Sequence, residues 1–134
     1  MSNNFLILNG IISGSNTFTG NQTISGSLYV TDDVVAFYSS DIRLKENIVP
    51  IENALEKVES ISGNTYDWKA GYEELHSHKG NDVGVIAQEI EAILPQIVTN
   101  RDNGYKAVQY EKIVPLLIEA IKELSAKIKR LENK

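Results

Sequence analysis

The chain has 134 residues, 42% of them apolar and 23% charged, and a net charge of −5 from 13 basic and 18 acidic side chains. This is enough for one folded domain plus an extension, and the acidity argues against a nucleic-acid or anionic-membrane surface as main partner. There is no Cys, hence no disulfide framework or thiolate metal site; no apolar run nears the ~20 residues that span a bilayer, and Phe5–Leu8 is too short for a signal-peptide core and lacks a basic flank.

Residues 1–39 contain no Lys or Arg and are rich in Ser, Thr, Asn and Gly. Gly14, Gly20 and Gly26 are six apart, as are Ile12, Phe18, Ile24 and Val30, with Thr19, Ser25 and Thr31 following them. An even period keeps successive apolar residues on one face of a strand. Regular glycines permit tight bends between short strands. A flexible Ser/Thr/Gly linker is the bland alternative, but aliphatic residues in register favour structure. So few repeats cannot bury their apolar face alone. Either more repeats lie upstream in a longer parent or several chains wind around each other; the second is the preferred expectation, a short β-stem whose copies interweave.

Next comes Ser40-Asp41-Ile42-Arg43-Leu44-Lys45, continued by Glu46-Asn47-Ile48. A Ser with a Lys as its base is a known form of nucleophilic catalysis. Five positions is an awkward spacing. On an α-helix such residues point roughly 140° apart, and on a strand they face opposite sides. Ser40 and Lys45 can meet only if the chain turns between them or if they meet across a subunit boundary. An exposed Lys, with a pKa of ~10.4, is also a poor base at neutral pH. Burial lowers it. Spacing alone does not establish a dyad, and a Ser and a Lys in a polar loop are ordinarily just solvated.

Residues 46–134 read as a small mixed α/β domain. Pro50 suits the first turn of a helix running through Ala54, Leu55 and Val58 to about Ile61, stopped by Gly63-Asn64. Thr65–Trp68 reads as a strand and residues 70–81 as an exposed polar loop. There, His76 and His78, with Glu73 and Glu74 nearby, could meet a metal ion but read better as solvated; no metal or other cofactor is expected. Val83–Ile86 is a second strand, followed by a helix with Ile90, Ile93 and Leu94 on one face, ended by Pro95. Ile97-Val98, the turn Asp102-Asn103-Gly104 and Tyr105–Tyr110 form a hairpin pattern.

A last helix is expected over residues 111–132. Val114, Leu117, Ile121, Leu124, Ile128 and Leu131 alternate spacings of three and four, a heptad seam with β-branched residues at a and Leu at d. Ile113, Leu116 and Ile118 lie off that seam, so the first turns can also pack on the domain. The seam suits either docking on the chain's own domain or, the preferred reading, an intermolecular coiled coil.

The stretch Ser40–Ile48 resembles the signature of the intramolecular-chaperone auto-processing domain at the C-termini of phage tail spikes and fibres, also called the endosialidase-type chaperone or peptidase S74 domain. Similar stretches continue at Tyr66-Asp67-Trp68, Asp82–Ile90, Leu94-Pro95 and Gly104–Tyr110, so the resemblance covers roughly residues 39–134. It implies a homotrimer that guides folding of the preceding fibre segment and then releases itself. Carried over, Ser40 is the nucleophile, Lys45 the general base and Ser39–Ser40 the scissile bond. Asp41, Arg43 and Asn47 belong to the motif and are read as shaping the turn. The resemblance also implies three strands for the tail helix, although Ile/Val at a with Leu at d normally favours two. The expected organisation is therefore α+β, with a fibre-stem segment over 1–39 as folding client and a chaperone domain over 40–134. No nucleic acid or membrane is expected as partner. Assembly is expected in the host cytoplasm, with the fibre part ending on the virion tail and the chaperone part released. The competing reading is a trimeric fibre cap that stays attached.

Overall fold

A computed structural model describes residues 10–134, so the apolar run Phe5–Leu8 lies outside the described residues. The chain divides into two units, with the boundary after Asp41.

In the first unit every described residue is exposed and none lies in a strand. The β-stem expectation is not met in the single chain. A strand needs a ladder partner for its N–H and C=O groups, and Ile12, Phe18, Ile24 and Val30 have no apolar surface to cover them within this unit. The hexad period is nevertheless written into the backbone. Gly14, Gly20 and Gly26 all take positive φ, at 84°, 92° and 134°, conformations that an L-side chain resists. Two residues after each of the first two glycines, an amide side chain folds back: Asn16 Nδ2 donates to the Gly14 carbonyl at 3.1 Å, and Gln22 Nε2 to that of Gly20 at 3.5 Å.

The second unit opens with a 3₁₀ turn, Ile42–Leu44. Helix α1 spans Ala54–Glu59 and starts later than the Pro50 reading expected. The reason is Asn53, whose left-handed φ of 52° breaks the helical path; Asn tolerates that region better than most residues. Strand β1, Asn64–Asp67, pairs antiparallel with β2, Asn81–Gly84, in the register Asn64↔Gly84 to Asp67↔Asn81. The connection between them, expected to be a plain loop, contains the one-turn helix α2, Glu73–His76. Helix α3, Ala87–Ile93, gives way to a 3₁₀ turn at Pro95–Ile97. Strands β3, Val98–Asn100, and β4, Lys106–Val108, form the expected hairpin. Its turn carries Gly104 at φ 84° and closes through Gly104 N–H to the Arg101 carbonyl at 2.8 Å.

A 3₁₀ turn at Tyr110–Ile113 leads into the long helix α4, Val114–Glu132. The unit is thus mixed α/β with two small antiparallel sheets and a long C-terminal helix. Its core is small. Ala54, Leu116 and Ala120 form one buried cluster, and Ile90, Ile97 and Ile113 another, with Ile61 and Leu94 packed against both. Of the off-seam residues, Ile113 and Leu116 are buried as expected, whereas Ile118 is exposed. Burying a side chain such as Leu116 or Ile90 contributes roughly 1.5–3 kcal/mol. None of the described helices is long and apolar enough to cross a membrane.

Candidate functional site

Three features of the chain can carry function: the motif around Ser40, the outer face of α4, and a groove between the two hairpins. The unit boundary falls inside the motif. Ser39, Ser40 and Asp41 close the first unit; Arg43, Lys45 and Asn47 lie in the second. All six are exposed. The backbone here is neither helix nor strand. The turn Ile42–Leu44 is closed by Lys45 N–H donating to the Ile42 carbonyl at 3.2 Å. Two residues after Lys45, Asn47 takes a left-handed φ of 54°. The 3₁₀ turn thus lies between Ser40 and Lys45 in the sequence, and Lys45 is followed closely by the left-handed Asn47.

Helix α4 separates its two apolar faces. Leu116 and Ala120 point into the domain, against Ala54 of α1. The heptad residues Val114, Leu117, Ile121, Leu124, Ile128 and Leu131 are 42–67% exposed. Docking of this seam on the chain's own domain is thereby excluded within the second unit. A continuous apolar stripe of this kind on a helix signals an interaction surface. Glu123, on the inner side, fastens the helix. Its carboxylate accepts the N–H of Leu55 at 2.8 Å and of Ala54 at 2.9 Å. These two bonds, aided by Lys127 and Lys57, hold its carboxyl below the usual range. Sequence reasoning missed this contact. No sequence signal marked it: Asn is ordinarily a good cap itself, and only its left-handed backbone leaves α1 without a side-chain cap, so that the orphan N–H groups at the helix start take a distant carboxylate.

An open groove of about 760 Å³ runs between the β1–β2 and β3–β4 hairpins, with Tyr66, Trp68, Tyr72, Tyr105 and Tyr110 among its walls. The Tyr110 hydroxyl accepts the Val85 N–H at 3.1 Å and lies so close over Gly84 that a Cβ there has no room. Burial, followed by Asp82 and Tyr110, pushes the Tyr66 phenol up. His76 and His78, read from the sequence as solvated, instead stack on Trp68, with ring centroids 4.5 and 4.7 Å away. Trp68 Nε1 donates to Asp82 at 3.0 Å. A lone Trp two to three turns of chain from a His-x-His gives no periodic signal, so the cluster was not legible in the sequence. Among the described residues, no group of three or more His, Asp or Glu side chains is placed to hold a metal ion.

The second unit is thus a small mixed α/β domain whose long helix leaves one apolar face uncovered, and a repeat segment precedes it in the sequence. Residues 40–99 match the family model Peptidase_S74, chaperone of endosialidase, and this part of the chain belongs to that family. Relatives extend the match. Long tail fiber protein Gp37 of Enterobacteria phage K3 is 39% identical over 120 residues, covering 82% of this chain and 9% of that protein. Gp37 of Salmonella phage S16 is 35% identical over 117 residues, covering 84% of this chain and 15% of the relative. Gp37 of Enterobacteria phage M1 is 36% identical over 101 residues, covering 72% and 40%. The chain thus spans only a small part of the length of the first of these relatives.

Proposed function

We propose that this chain is the C-terminal intramolecular chaperone of a phage tail fibre, that it trimerises, and that it frees itself by cutting between Ser39 and Ser40. The observation that carries this reading is where the family match begins: at Ser40, the residue expected to attack. The uncovered seam of α4 supports the assembly half. Three copies joining Val114, Leu117, Ile121, Leu124, Ile128 and Leu131 would bury a stripe that one copy leaves in water. Chains brought together in this way would also offer one another strand partners along the hexad repeat, which makes that segment the folding client. The fibre then goes to the virion tail, as the names of the relatives suggest.

The chemistry follows from the residue types. Ser40 Oγ attacks the Ser39 carbonyl while Lys45, desolvated on assembly and therefore neutral, takes the hydroxyl proton. The C–N bond breaks, the proton passes to the Ser40 nitrogen, and an ester links the Ser39 carbonyl to Ser40 Oγ. Water hydrolyses the ester, leaving a Ser39 carboxylate and restoring the Ser40 hydroxyl. Holding the two groups in place can supply a large part of the barrier reduction in such an intramolecular step. Each chain turns over once. Asp41, Arg43 and Asn47 shape the turn that presents Ser40 and Lys45.

Intact mass spectrometry, denaturing and native, tests the reading. Fragments split between Ser39 and Ser40, with a trimeric native mass, are expected. A single uncut chain in a trimer would favour a permanent structural cap. An uncut monomer would remove the basis of both.

A further inference from the structure

The connection between β1 and β2 folds back on itself in a way the assembly reading does not use. Its base is closed by Trp68 N–H donating to the Gly80 carbonyl at 3.0 Å. Above that, His76 and His78 lie 5.6 Å apart, nearly parallel at 12°. Rings on opposite faces of the indole would stand much further apart, so both imidazoles cover the same face of Trp68. The turn between them depends on Ser77 at a left-handed φ of 63°. Two hydrogen bonds hold that turn: Ser77 N–H donates to the Glu73 carbonyl at 2.9 Å, and His78 N–H donates to His76 Nδ1 at 2.9 Å. An accepting Nδ1 carries no proton, and an imidazolium is a donor at both nitrogens.

We propose that His76 and His78 form an acid-released clasp that holds residues 69–79 against Trp68 as one wall of the groove. Protonating His76 turns its acceptor into a donor facing another donor, so the only side-chain bond holding His78 to this turn is lost while the Ser77–Glu73 backbone bond remains. His78 is the partner that can carry charge in place, because Asp82 on β2 lies beside it. Asp82 is held ionised, below the usual carboxylate range, first by the Val83 N–H and then by Trp68, with His78 contributing. A charged His78 then opposes charge on His76. On α2, the Glu73 side chain is committed to the Gly71 N–H at 2.9 Å, and Glu74 and Lys79 flank the pair. The groove is also lined by Lys69, Arg101 and Lys106, outnumbering Asp67 and Asp82, and by Tyr66, Tyr72 and Tyr105. Lys106 is paired with Glu91 at 2.7 Å. Attraction of an imidazolium to the indole face favours stacking but cannot restore the missing acceptor. The imidazole is the side chain whose unperturbed titration, near pH ~6.5, lies in the mildly acidic range.

Trp68 is the single tryptophan, so its accessibility reads the clasp directly. The full chain is titrated from pH ~8 to ~5, following acrylamide quenching of Trp68 and hydrogen exchange at the His78 amide, with far-UV circular dichroism as a control for global unfolding. On acidification the quenching constant is expected to rise about twofold, and the His78 amide to exchange about tenfold faster than the intrinsic pH effect predicts. His76→Asn retains a neutral side-chain acceptor and should abolish both changes; His78→Phe retains the stack and should reduce them. A wild-type chain that stays folded without either change would overturn the proposal. So would a transition that survives unchanged in His76→Asn.

Discussion

Leu116 is fully buried, while its chain neighbour Leu117 is 42% exposed. One helix therefore serves two surfaces, and substitutions at adjacent positions should have different consequences. Leu116→Ala is expected to destabilise the folded unit by about 2–5 kcal/mol, as a cavity-forming core change does. Ile121→Ala on the outer seam should leave the unassembled domain within about 0.5 kcal/mol of wild type but weaken the oligomer. Denaturant unfolding at low concentration and native mass spectrometry at high concentration separate the two. Equal effects of the two variants on both measurements would contradict the division of faces.

Ser40→Ala and Lys45→Ala should each give an uncut chain that still assembles. The readout is the same pair of mass measurements, on protein incubated until wild type is fully processed. Loss of cleavage is expected to be complete within detection for Ser40→Ala, because no other hydroxyl occupies that position. Fragments ending at Ser39 in either variant would mean that another group does the work.

The link between Glu123 and the start of α1 is pH-dependent. The folded-state carboxyl is held below its ordinary value, by the Leu55 and Ala54 N–H groups first. Its contribution to stability is therefore complete above the ordinary carboxylate range of ~4.3 and disappears as pH falls through the lowered folded value. Glu123→Gln should lower Tm at neutral pH and flatten its decline on the acid side. An identical acid slope in wild type and variant would show that the contact contributes nothing.

Gly84 has no room for a Cβ because of the Tyr110 hydroxyl. Gly84→Ala is therefore expected to destabilise by about 1–3 kcal/mol, the range of overpacking changes. Tyr110→Phe removes the crowding atom and also the acceptor of the Val85 N–H, so alone it should cost roughly 0.5–1.5 kcal/mol. The double variant should be more stable than the two losses added together. Strict additivity would mean that the side chain moves aside at no cost.

Much of the second unit was legible because its signals are local. Asn103-Gly104 specified a hairpin, Pro95 ended α3, and alternating threes and fours from Val114 to Leu131 specified a long helix. What sequence reading missed depends on tertiary contacts or on single backbone angles. Asn53 in the left-handed region delayed α1, although Pro50 is a good helix starter. Glu123 reaches a helix start 68 and 69 positions away, and no local pattern encodes that distance. The stacking of the two histidines left no local trace because its partner, Trp68, lies in the stretch after β1, well before them in the chain. The stem differs in kind. Its apolar register is clear in the sequence, but none of residues 10–39 lies in a strand.

The repeated glycine conformation makes the stem a ruler graduated in sixes. Gly14, Gly20 and Gly26 each supply a bend open to few other residues, and each is followed at the same offset by the same apolar position. Removing or adding six residues returns every later bend and every later apolar side chain to phase. Any other change of length puts a side chain where a bend is required. A segment built on this pattern can therefore grow or shorten in phase only in whole graduations, and its length is a count before it is a distance.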